Sequence, residues 1–205
     1  MSTKLKEKRF VIATGNKGKV KELRHLFRNA RLALFDTTEL GLRISVEETG
    51  MSFEENASIK AKAYAKCANM WSIADDSGLE VNALGGEPGY LSKRYAGQNA
   101  TDDYRMEYLL ECMRHVPNGK REAVFKSVIA ISSPKGEVKL FYGEASGRIL
   151  NEKKGNGGFG YDPIFYLPEL KKTMAELTTD EKNSISHRAK AAQKAISELN
   201  AILDG

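Results

Sequence analysis

The sequence predicts an α/β protein with a mixed β-sheet, and two features of its 205 residues lead to that class. In the first half, short apolar runs alternate with segments whose apolar residues recur at helical spacing. In the second half, two long alternating segments flank a turn, which predicts a β-hairpin. This order of elements favours a mixed sheet, and the length suits one domain or one domain with two lobes.

The first half is predicted to alternate strands and helices. Val20, Leu23 and Phe27 recur at helical spacing, so the segment after the first apolar run is a helix. Ser52 and Glu55 have the spacing of a capping box, which places the start of the next helix there. The predicted elements are strands over 9–14, 32–35 and 71–74, and helices over 17–27 and 52–70.

The second half is predicted to contain a helix, a hairpin and a final helix. Thr101 is a suitable N-cap and precedes a helical pattern that includes Met106. Residues 133–137, SPKGE, form the turn of the hairpin between strands over 122–132 and 138–149. The final helix carries an apolar stripe, formed by Ile185, Ala189, Ala192, Ile196, Leu199 and Leu203.

The composition is basic overall. Charged residues make up 29% of the chain and the formal net charge is +5, which suits an anionic partner or simply serves solubility. The basic residues are not interleaved with aromatic residues, and no nucleic-acid-binding signature is present. No apolar window approaches the ~18 residues of a membrane span, and the apolar segment over 10–13 is too short for a signal peptide. We therefore expect a cytoplasmic protein without a nucleic-acid or membrane partner, whose two cysteines, Cys67 and Cys112, are buried thiols.

Asp75 and Asp76 are adjacent carboxylates at the end of a predicted buried strand. Two such groups repel each other and lose hydration when they are buried. One interpretation is a turn, because Asp-Ser-Gly over 76–78 is favourable turn chemistry. The other is a divalent cation, which converts the repulsion into ligation. From this stretch alone, the turn is the better interpretation.

The segment ATGNKGKVKEL, over 13–23, joins the first predicted strand to the first helix. Gly15 and Gly18 let the backbone approach a ligand, while Lys17 and Lys19 add charge near the free amides of a helix N-terminus. These features suit a phosphate, although the spacing is neither that of a Walker loop nor that of G-x-G-x-x-G. Taken alone, the segment is more typical of a plain strand–turn–helix junction.

Glu47 and Glu48 precede the helix predicted over 52–70, and Lys60 lies two turns inside it. Acidic residues in that place commonly complement the helix dipole, and lysines commonly form a solvated face. Taken alone, this segment does not require a functional site.

The segment KGNGGFGYDPIFY, over 154–166, has four glycines among its first seven residues. Such a segment resists regular structure because ordering glycine is entropically costly. Phe159 offers a stacking surface and Asp162 an acceptor for a ring N–H, which together suit a purine. A bulged turn with a core phenylalanine explains the pattern equally well.

The segment EKNSISHRAKA, over 181–191, places Lys182, His187 and Arg188 near the start of the predicted final helix. They form a dense group of donors that suits carbonyl or phosphate oxygens. A solvated helix end is the competing interpretation.

Taken together and in this order, TGNKGK, EETGMSFEENASIKA, ADDSGLEVNALGGEPG, GGFGYDPIF and EKNSISHRAKA closely resemble the motifs of the inosine triphosphate pyrophosphatase family. The resemblance extends from about Phe10 to the final helix, and SKRYAG over 92–97 resembles the bacterial type. It implies a two-lobed α/β fold with the active cleft between the lobes, Mg²⁺ as the cofactor, and a homodimer. The implied reaction is hydrolysis of ITP, dITP and XTP to the nucleoside monophosphate and pyrophosphate.

The resemblance also implies roles for individual residues. Asp76 would be catalytic, as the general base or the group that orients it, and Glu48 and Asp76 would be the metal ligands. Because successive strand residues point to opposite faces, Asp76 could face the metal while Asp75 would brace a turn at 77–78. The triphosphate would contact Thr14 to Lys19 and Lys60, and the purine would stack on Phe159. The full set of implied substrate-binding residues is Thr14, Gly15, Asn16, Lys17, Gly18, Lys19, Lys60, Ser77, Phe159, Gly160, Tyr161, Asp162, Lys182, His187 and Arg188.

Two other functions remain compatible with parts of the sequence. A related pyrophosphatase for modified pyrimidine nucleotides would share the strand–loop–helix start, but GGFGYDP and SHR argue against it. A basic nucleic-acid-binding module would show a salt-dependent affinity that reflects several phosphate contacts.

Overall fold

The computed structural model describes residues 8–204, apart from the side chains at 200 and 202–204. The strands in this range are β1 (Lys8–Ile12), β2 (Leu32–Phe35), β3 (Trp71–Val81), β4 (Glu122–Ser132), β5 (Val138–Ile149), β6 (Phe165–Leu167) and β7 (Lys172–Thr173). The α-helices are α1 (Lys17–Leu26), α2 (Phe53–Ala68), α3 (Asp102–Cys112), α4 (Thr179–Ile185) and α5 (His187–Asp204). None of these helices has the length and apolar character needed to cross a membrane.

The strands form one mixed sheet in the order β2-β1-β3-β4-β5-β6-β7. β1 pairs in parallel with β2 and β3, whereas β6 pairs antiparallel with β5 and β7. At the turn between β4 and β5, the Ser133 N–H donates to the Glu137 carbonyl (2.9 Å). At the far end of the same pair, the Ile149 N–H donates to the Arg121 carbonyl (2.9 Å). The predicted α/β class, mixed sheet and late hairpin are therefore confirmed.

One compact unit contains residues 8–76, Val128–Phe141 and 191–204. Its core contains Phe10 of β1, Leu23 of α1, Ile73 of β3 and Ala192 of α5, all fully buried in one apolar cluster. Phe10, Val11 and Ile12 of β1 are all fully buried, so this central strand is covered on both faces. In the parallel register Ile12 lies beside Ile73. The loop that follows β1 therefore begins at the level of the β3 residues just before Asp75.

The second compact unit contains Ser77–Ser127 and Tyr142–Lys190. Its core includes Leu79, Leu109 and Ile164, which are fully buried. Phe125 and Phe165 pack there with their ring centroids 4.4 Å apart. This core supports α3 and the glycine-rich segment before β6.

The predicted turn at 77–78 is wrong, because β3 continues through Asp75, Asp76 and Ser77 to Val81. Beyond the two carboxylates, Leu79 and Val81 are fully buried, so the alternating pattern carries the strand onward. A turn is not needed to keep the two carboxylates hydrated, because each forms an ion pair with a lysine side chain.

The predicted final helix is two helices. Lys182 and Ile185 belong to α4, and the chain is extended at Ser186 (φ −65°, ψ 157°) before α5 begins. The Ser186 hydroxyl accepts a hydrogen bond from the Ala189 N–H (3.2 Å), as an N-cap does. Ile185 therefore packs in the core of the second unit instead of continuing the α5 stripe. The predicted contribution of Leu203 lies outside the described side chains.

Two smaller predictions are also corrected. Ser52 caps α2 by accepting from the Glu55 N–H, but the Glu55 carboxylate accepts from the Met51 N–H (2.7 Å), so the capping box is incomplete. Cys67 and Cys112 are exposed free thiols, because they lie on the outer faces of α2 and α3 and not on the core stripes.

Candidate active site

The loop between β1 and α1 forms the first part of the candidate site. The Thr14 hydroxyl accepts from the Asn16 N–H (3.2 Å), and the Asn16 side chain caps α1 by accepting from the Lys19 N–H (3.1 Å). The first turn of α1 contains no acidic residue but includes Lys17 and Lys19. Positive side chains beside the positive end of a helix are unfavourable unless an anion binds there.

Gly15 leaves this loop open on one side. Its φ lies outside the left-handed region, and a side chain added there would meet no atom within 4 Å. Neither the backbone conformation nor internal packing therefore requires glycine at this position. The small residue instead leaves room for a ligand to approach the backbone.

The Lys19 ammonium binds Asp75. Its Nζ lies 2.7 Å from the Asp75 carboxylate and 3.3 Å from the Asp75 carbonyl oxygen. The Asp75 side chain is fully buried, so this pair compensates a charge that would otherwise be costly. Asp75 thus holds the side chain of a lysine in the first turn of α1, which is a different role from bracing a turn.

The Lys60 ammonium is the centre of a second cluster. Its Nζ lies 2.6 Å from Asp76 Oδ1, 2.8 Å from Glu48 Oε1 and 3.0 Å from the Asp75 carbonyl oxygen. Lys60 and Asp76 are both buried, whereas the neighbouring Glu47 is exposed. The structure therefore brings Glu48, Lys60 and Asp76 together, as the resemblance implies.

Burial and charge set the pKa values in this cluster. Burial raises the pKa of Asp76, and the nearby Lys60 and Lys19 offset only part of that shift. For Lys60, burial alone would lower the pKa, but the attraction of Asp76 and Glu48 outweighs it and the pKa is raised. Asp76 is therefore a stronger proton acceptor than an ordinary aspartate, and Lys60 keeps its charge.

The donor set fits Mg²⁺ bound jointly with a substrate. Within residues 8–204, no group of three or more His, Cys, Asp or Glu side chains is arranged to hold a metal alone. Glu48 and Asp76, however, converge on one cation, the Lys60 ammonium. Mg²⁺ usually binds proteins through one or two carboxylates and takes its remaining ligands from water and phosphate oxygens. Glu48 and Asp76 would supply such a pair.

The second unit brings together the other group of predicted residues. Phe159 lies in the glycine-rich loop, and two cations lie near its ring: Lys182 Nζ at 4.9 Å and the Arg188 guanidinium at 5.6 Å from the centroid. The Arg188 side chain is almost fully buried and donates to the Ser77 hydroxyl (2.7 Å). Phe159 is half-buried, so part of its ring surface remains accessible for stacking.

Asp162 organises this loop. Its Oδ2 accepts from Lys182 Nζ (2.6 Å) and from the Phe159 N–H (2.9 Å). A side chain at residue 158, where φ is +73°, would lie 2.0 Å from that same oxygen, so only glycine allows the contact. Asp162 therefore positions Phe159 and Lys182, and its implied contact with the base remains a prediction.

Two other predicted residues are largely enclosed by protein. His187 is buried and stacks on Phe125, with ring centroids 4.8 Å apart and planes 15° apart. Tyr161 is buried and donates its hydroxyl to the Ser92 carbonyl (2.9 Å). The Tyr161 side chain thus anchors the glycine-rich loop to the backbone at Ser92. Any contact of Tyr161 with a substrate would therefore involve the backbone atoms of Tyr161.

The sequence analysis missed Asp102. This residue begins α3, and its Oδ2 accepts from the Gly160 N–H (2.7 Å). The N–H groups of Phe159 and Gly160 are therefore held by two different carboxylates, those of Asp162 and Asp102. Acidic residues are common in the first turn of a helix, and no local signal in the sequence connects Asp102 to a loop 58 residues away.

The fold and these residues define an α/β protein whose cationic and carboxylate groups suit a phosphorylated ligand. A model described as the Ham1 family matches residues 10–198, and the chain belongs to this family. A dITP/XTP pyrophosphatase of Photorhabdus laumondii is 48% identical over 191 residues, covering 92% of this chain and 96% of the relative. The dITP/XTP pyrophosphatase of Bacillus subtilis is 45% identical over 194 residues, covering 95% and 98%. The solved Ham1 protein of Staphylococcus aureus has a TM-score of 0.83 at 46% identity, covering 95% of this chain and 99% of that chain. The family resemblance stated from the sequence motifs is thereby confirmed.

Proposed function

We propose that this protein is a Mg²⁺-dependent nucleoside-triphosphate pyrophosphatase that hydrolyses ITP, dITP and XTP to the monophosphate and pyrophosphate. By removing these nucleotides it would prevent their incorporation into DNA or RNA. Membership of the Ham1 family and relatives named dITP/XTP pyrophosphatases support the proposal. The structural observation that carries it is the convergence of Glu48 and Asp76 on the Lys60 ammonium, in the unit that also contains the lysine-rich start of α1.

In the proposed reaction, the oxygen of a water molecule attacks the α-phosphorus. The bond from that phosphorus to the bridging oxygen breaks, and pyrophosphate leaves with the bonding electrons. Asp76 would accept the water proton as the general base, or orient the group that does. A bound Mg²⁺ would supply charge neutralisation on the phosphates and lower the pKa of a coordinated water.

The residues of the first unit would bind the triphosphate. Backbone amides at the start of α1 and the ammonium groups of Lys19 and Lys60 are donors for phosphate oxygens. Both ammonium groups already contact carboxylates, so their positions are fixed before a ligand arrives. Fixed donors stabilise charge that develops on the leaving group without reorganisation during the reaction.

The residues of the second unit would bind the base. Phe159 would stack on the purine, and Arg188, whose guanidinium lies near the Phe159 ring, would donate to a 6-oxo group. His187 would be a second donor, as the resemblance implies. Asp162 would accept from the purine N1–H. Adenine presents the opposite pattern of donor and acceptor, so ATP would leave these groups unpaired in a desolvated site. A site built on such hydrogen bonds can discriminate by ~10⁴ or more.

A panel of nucleoside triphosphates with Mg²⁺, with pyrophosphate and orthophosphate quantified separately, tests this function. We expect ITP and XTP to release pyrophosphate, ATP to react very little, and EDTA to abolish turnover. Release of orthophosphate and a nucleoside diphosphate would contradict attack at the α-phosphorus. Preferential turnover of modified pyrimidine nucleotides would instead favour the other pyrophosphatase class.

The proposal includes a homodimer located in the cytoplasm, as the resemblance implies. Light scattering of the purified protein across a tenfold concentration range tests the oligomeric state. A constant mass of one chain would contradict the dimer.

A further inference from the structure

The segment that carries Glu48 lacks regular secondary structure. Residues 42–50 are neither helix nor strand, although Glu48 is one of the two carboxylates of the proposed metal site. A metal ligand must be held within a fraction of an ångström of its productive position. Side-chain contacts must therefore fix this segment, because a strand ladder or helix does not.

Asn56 of α2 makes one of these contacts from a fully buried position. Its Oδ1 accepts a hydrogen bond from the Gly50 N–H (2.9 Å), two residues after Glu48. A side chain at residue 50 would lie 2.7 Å from that oxygen and 2.6 Å from Glu55 Cβ. Glycine at 50 thus permits the close approach on which the hydrogen bond depends.

The same helix holds the segment at a second point. Asn56 and Lys60 are one helical turn apart and therefore lie on the same face of α2. Lys60 contacts the Glu48 carboxylate itself (2.8 Å). The backbone at residue 50 and the carboxylate at residue 48 are consequently both tied to one rigid element.

The chemistry of the Asn56 amide indicates which of its atoms the site needs. The Gly50 N–H requires the oxygen to face residue 50, which sets the orientation of the amide. Nδ2 is buried and has no hydrogen-bond partner among the described residues, which is unfavourable for a donor. Aspartate would supply the same acceptor without that donor. It would, however, add a buried negative charge to the helix face that already meets Glu48 and Asp76.

We propose that Asn56 is a positioning residue that fixes Glu48, through Gly50, for metal ligation. The inference rests on the proposed function, since it takes Glu48 as a metal ligand. The acceptor on Asn56 acts on the backbone, and the ammonium of Lys60 acts on the side chain. Loss of the first contact removes the acceptor that holds the backbone two residues after Glu48.

Hydrogen exchange tests the positioning directly and without substrate. In Asn56→Ala, we expect amide exchange across 46–51 to accelerate about tenfold or more, because the Gly50 N–H loses its acceptor. Ser72→Ala is the matched control, since the buried Ser72 hydroxyl also supports α2 by donating to the Ala61 carbonyl (2.7 Å). Unchanged exchange across 46–51 in Asn56→Ala would overturn the proposal.

Metal binding tests the consequence for the site. Mn²⁺ binding is measured by electron paramagnetic resonance in the presence of a non-hydrolysable ITP analogue. We expect the Kd of Asn56→Ala to rise about 10–100-fold, the usual effect of losing a group that supports a ligand, and that of Ser72→Ala to stay unchanged. Equal Kd values for Asn56→Ala and the unchanged protein would overturn the positioning role of Asn56 and leave the proposed function unaffected. Failure of the unchanged protein to bind Mn²⁺ with the analogue would instead defeat the proposed function.

Gly50→Ala provides a second variant if Asn56→Ala does not fold. Its added methyl group must displace the Asn56 oxygen or the loop backbone. We expect the same acceleration of exchange and the same weakening of Mn²⁺ binding, and wild-type values for both would contradict the proposal.

Discussion

Replacing Asp76 with asparagine should separate activity from stability. The side chain keeps its shape and its acceptor oxygen, so contact with Lys60 is preserved in a neutral form. Lys60 also keeps its contacts with Glu48 and the Asp75 carbonyl, so its ammonium does not become an isolated buried charge. The change therefore removes one negative charge, while the Lys60 ammonium keeps its other partners.

The effect on stability follows from the direction of the Asp76 pKa. Burial raises this pKa above its value in the unfolded chain, so folding disfavours the ionised form. The penalty is absent below the unfolded pKa and grows as the pH rises through the folded pKa. At pH 7 in EDTA, the neutral asparagine avoids this penalty. We expect the variant to be as stable as the unchanged protein, within about 1 kcal/mol, or more stable.

The effect on turnover should be large. Loss of a general base typically lowers kcat by ~10²–10⁴, or about 3–5 kcal/mol of activation free energy. Pyrophosphate release at saturating ITP and Mg²⁺ gives kcat, and urea unfolding in EDTA gives stability. A variant that keeps more than about a tenth of wild-type kcat, or that loses more than about 2 kcal/mol of stability, would refute the reasoning.

Asp75→Asn is the internal comparison. The fully buried Asp75 carboxylate pairs with Lys19, whose side chain is 14% exposed and can partly reach water. We expect this variant to lose about 1–3 kcal/mol of stability, less than for a fully enclosed pair, and to bind nucleotide more weakly because Lys19 is released. A greater loss of kcat than in Asp76→Asn, in a folded protein, would reverse the assignment of the pair.

Three further predictions concern the second unit. Phe159→Ala should weaken binding of every purine nucleotide by about 1–3 kcal/mol without improving ATP, as Kd values for non-hydrolysable analogues would show; a loss confined to one base would contradict stacking. Arg188→Ala should erode the preference of kcat/KM for ITP over ATP, whereas equal losses for both nucleotides would show that Arg188 does not read the base. The contacts of Glu181 with Lys172 and the Thr178 N–H lower its pKa to about 2. Its stabilising effect is therefore present above the unfolded pKa of about 4.3 and is lost as the pH falls through about 2. The difference in unfolding free energy between the unchanged protein and Glu181→Gln should be constant above pH 5 and shrink towards pH 2; a difference that does not depend on pH would contradict this assignment.

The elements with regular periodicity were predictable from the sequence. β2 and the hairpin strands β4 and β5 match their predicted limits, because an apolar run marks β2, and alternation with turn residues marks β4 and β5. The break before α5 was missed because Ile185 lies four residues before Ala189, at the spacing of the apolar stripe. Ser186 was nevertheless a recognisable N-cap, followed by a helical pattern.

The candidate site was predictable only in part. The family resemblance indicated Glu48, Lys60 and Asp76, and the structure brings them together. Residue spacing alone did not reveal that Lys60 is buried, since a lysine on a helix is usually solvated. Asp102 and Asn56 act through backbone amides of distant or irregular segments. Contacts of that kind depend on tertiary placement and leave no periodic pattern.

The ion cluster around Lys60 determines how the folded protein would respond to loss of a metal ion. Because a permanently charged amine accompanies Glu48 and Asp76, the two acids do not need an external ion to coexist in the folded chain. Under the proposed Mg²⁺ dependence, loss of the ion would slow catalysis and withdraw only the stabilisation that ion binding supplies, without leaving two unpaired buried acids. The metal-free protein would therefore keep both carboxylates in place and would bind the ion again without refolding.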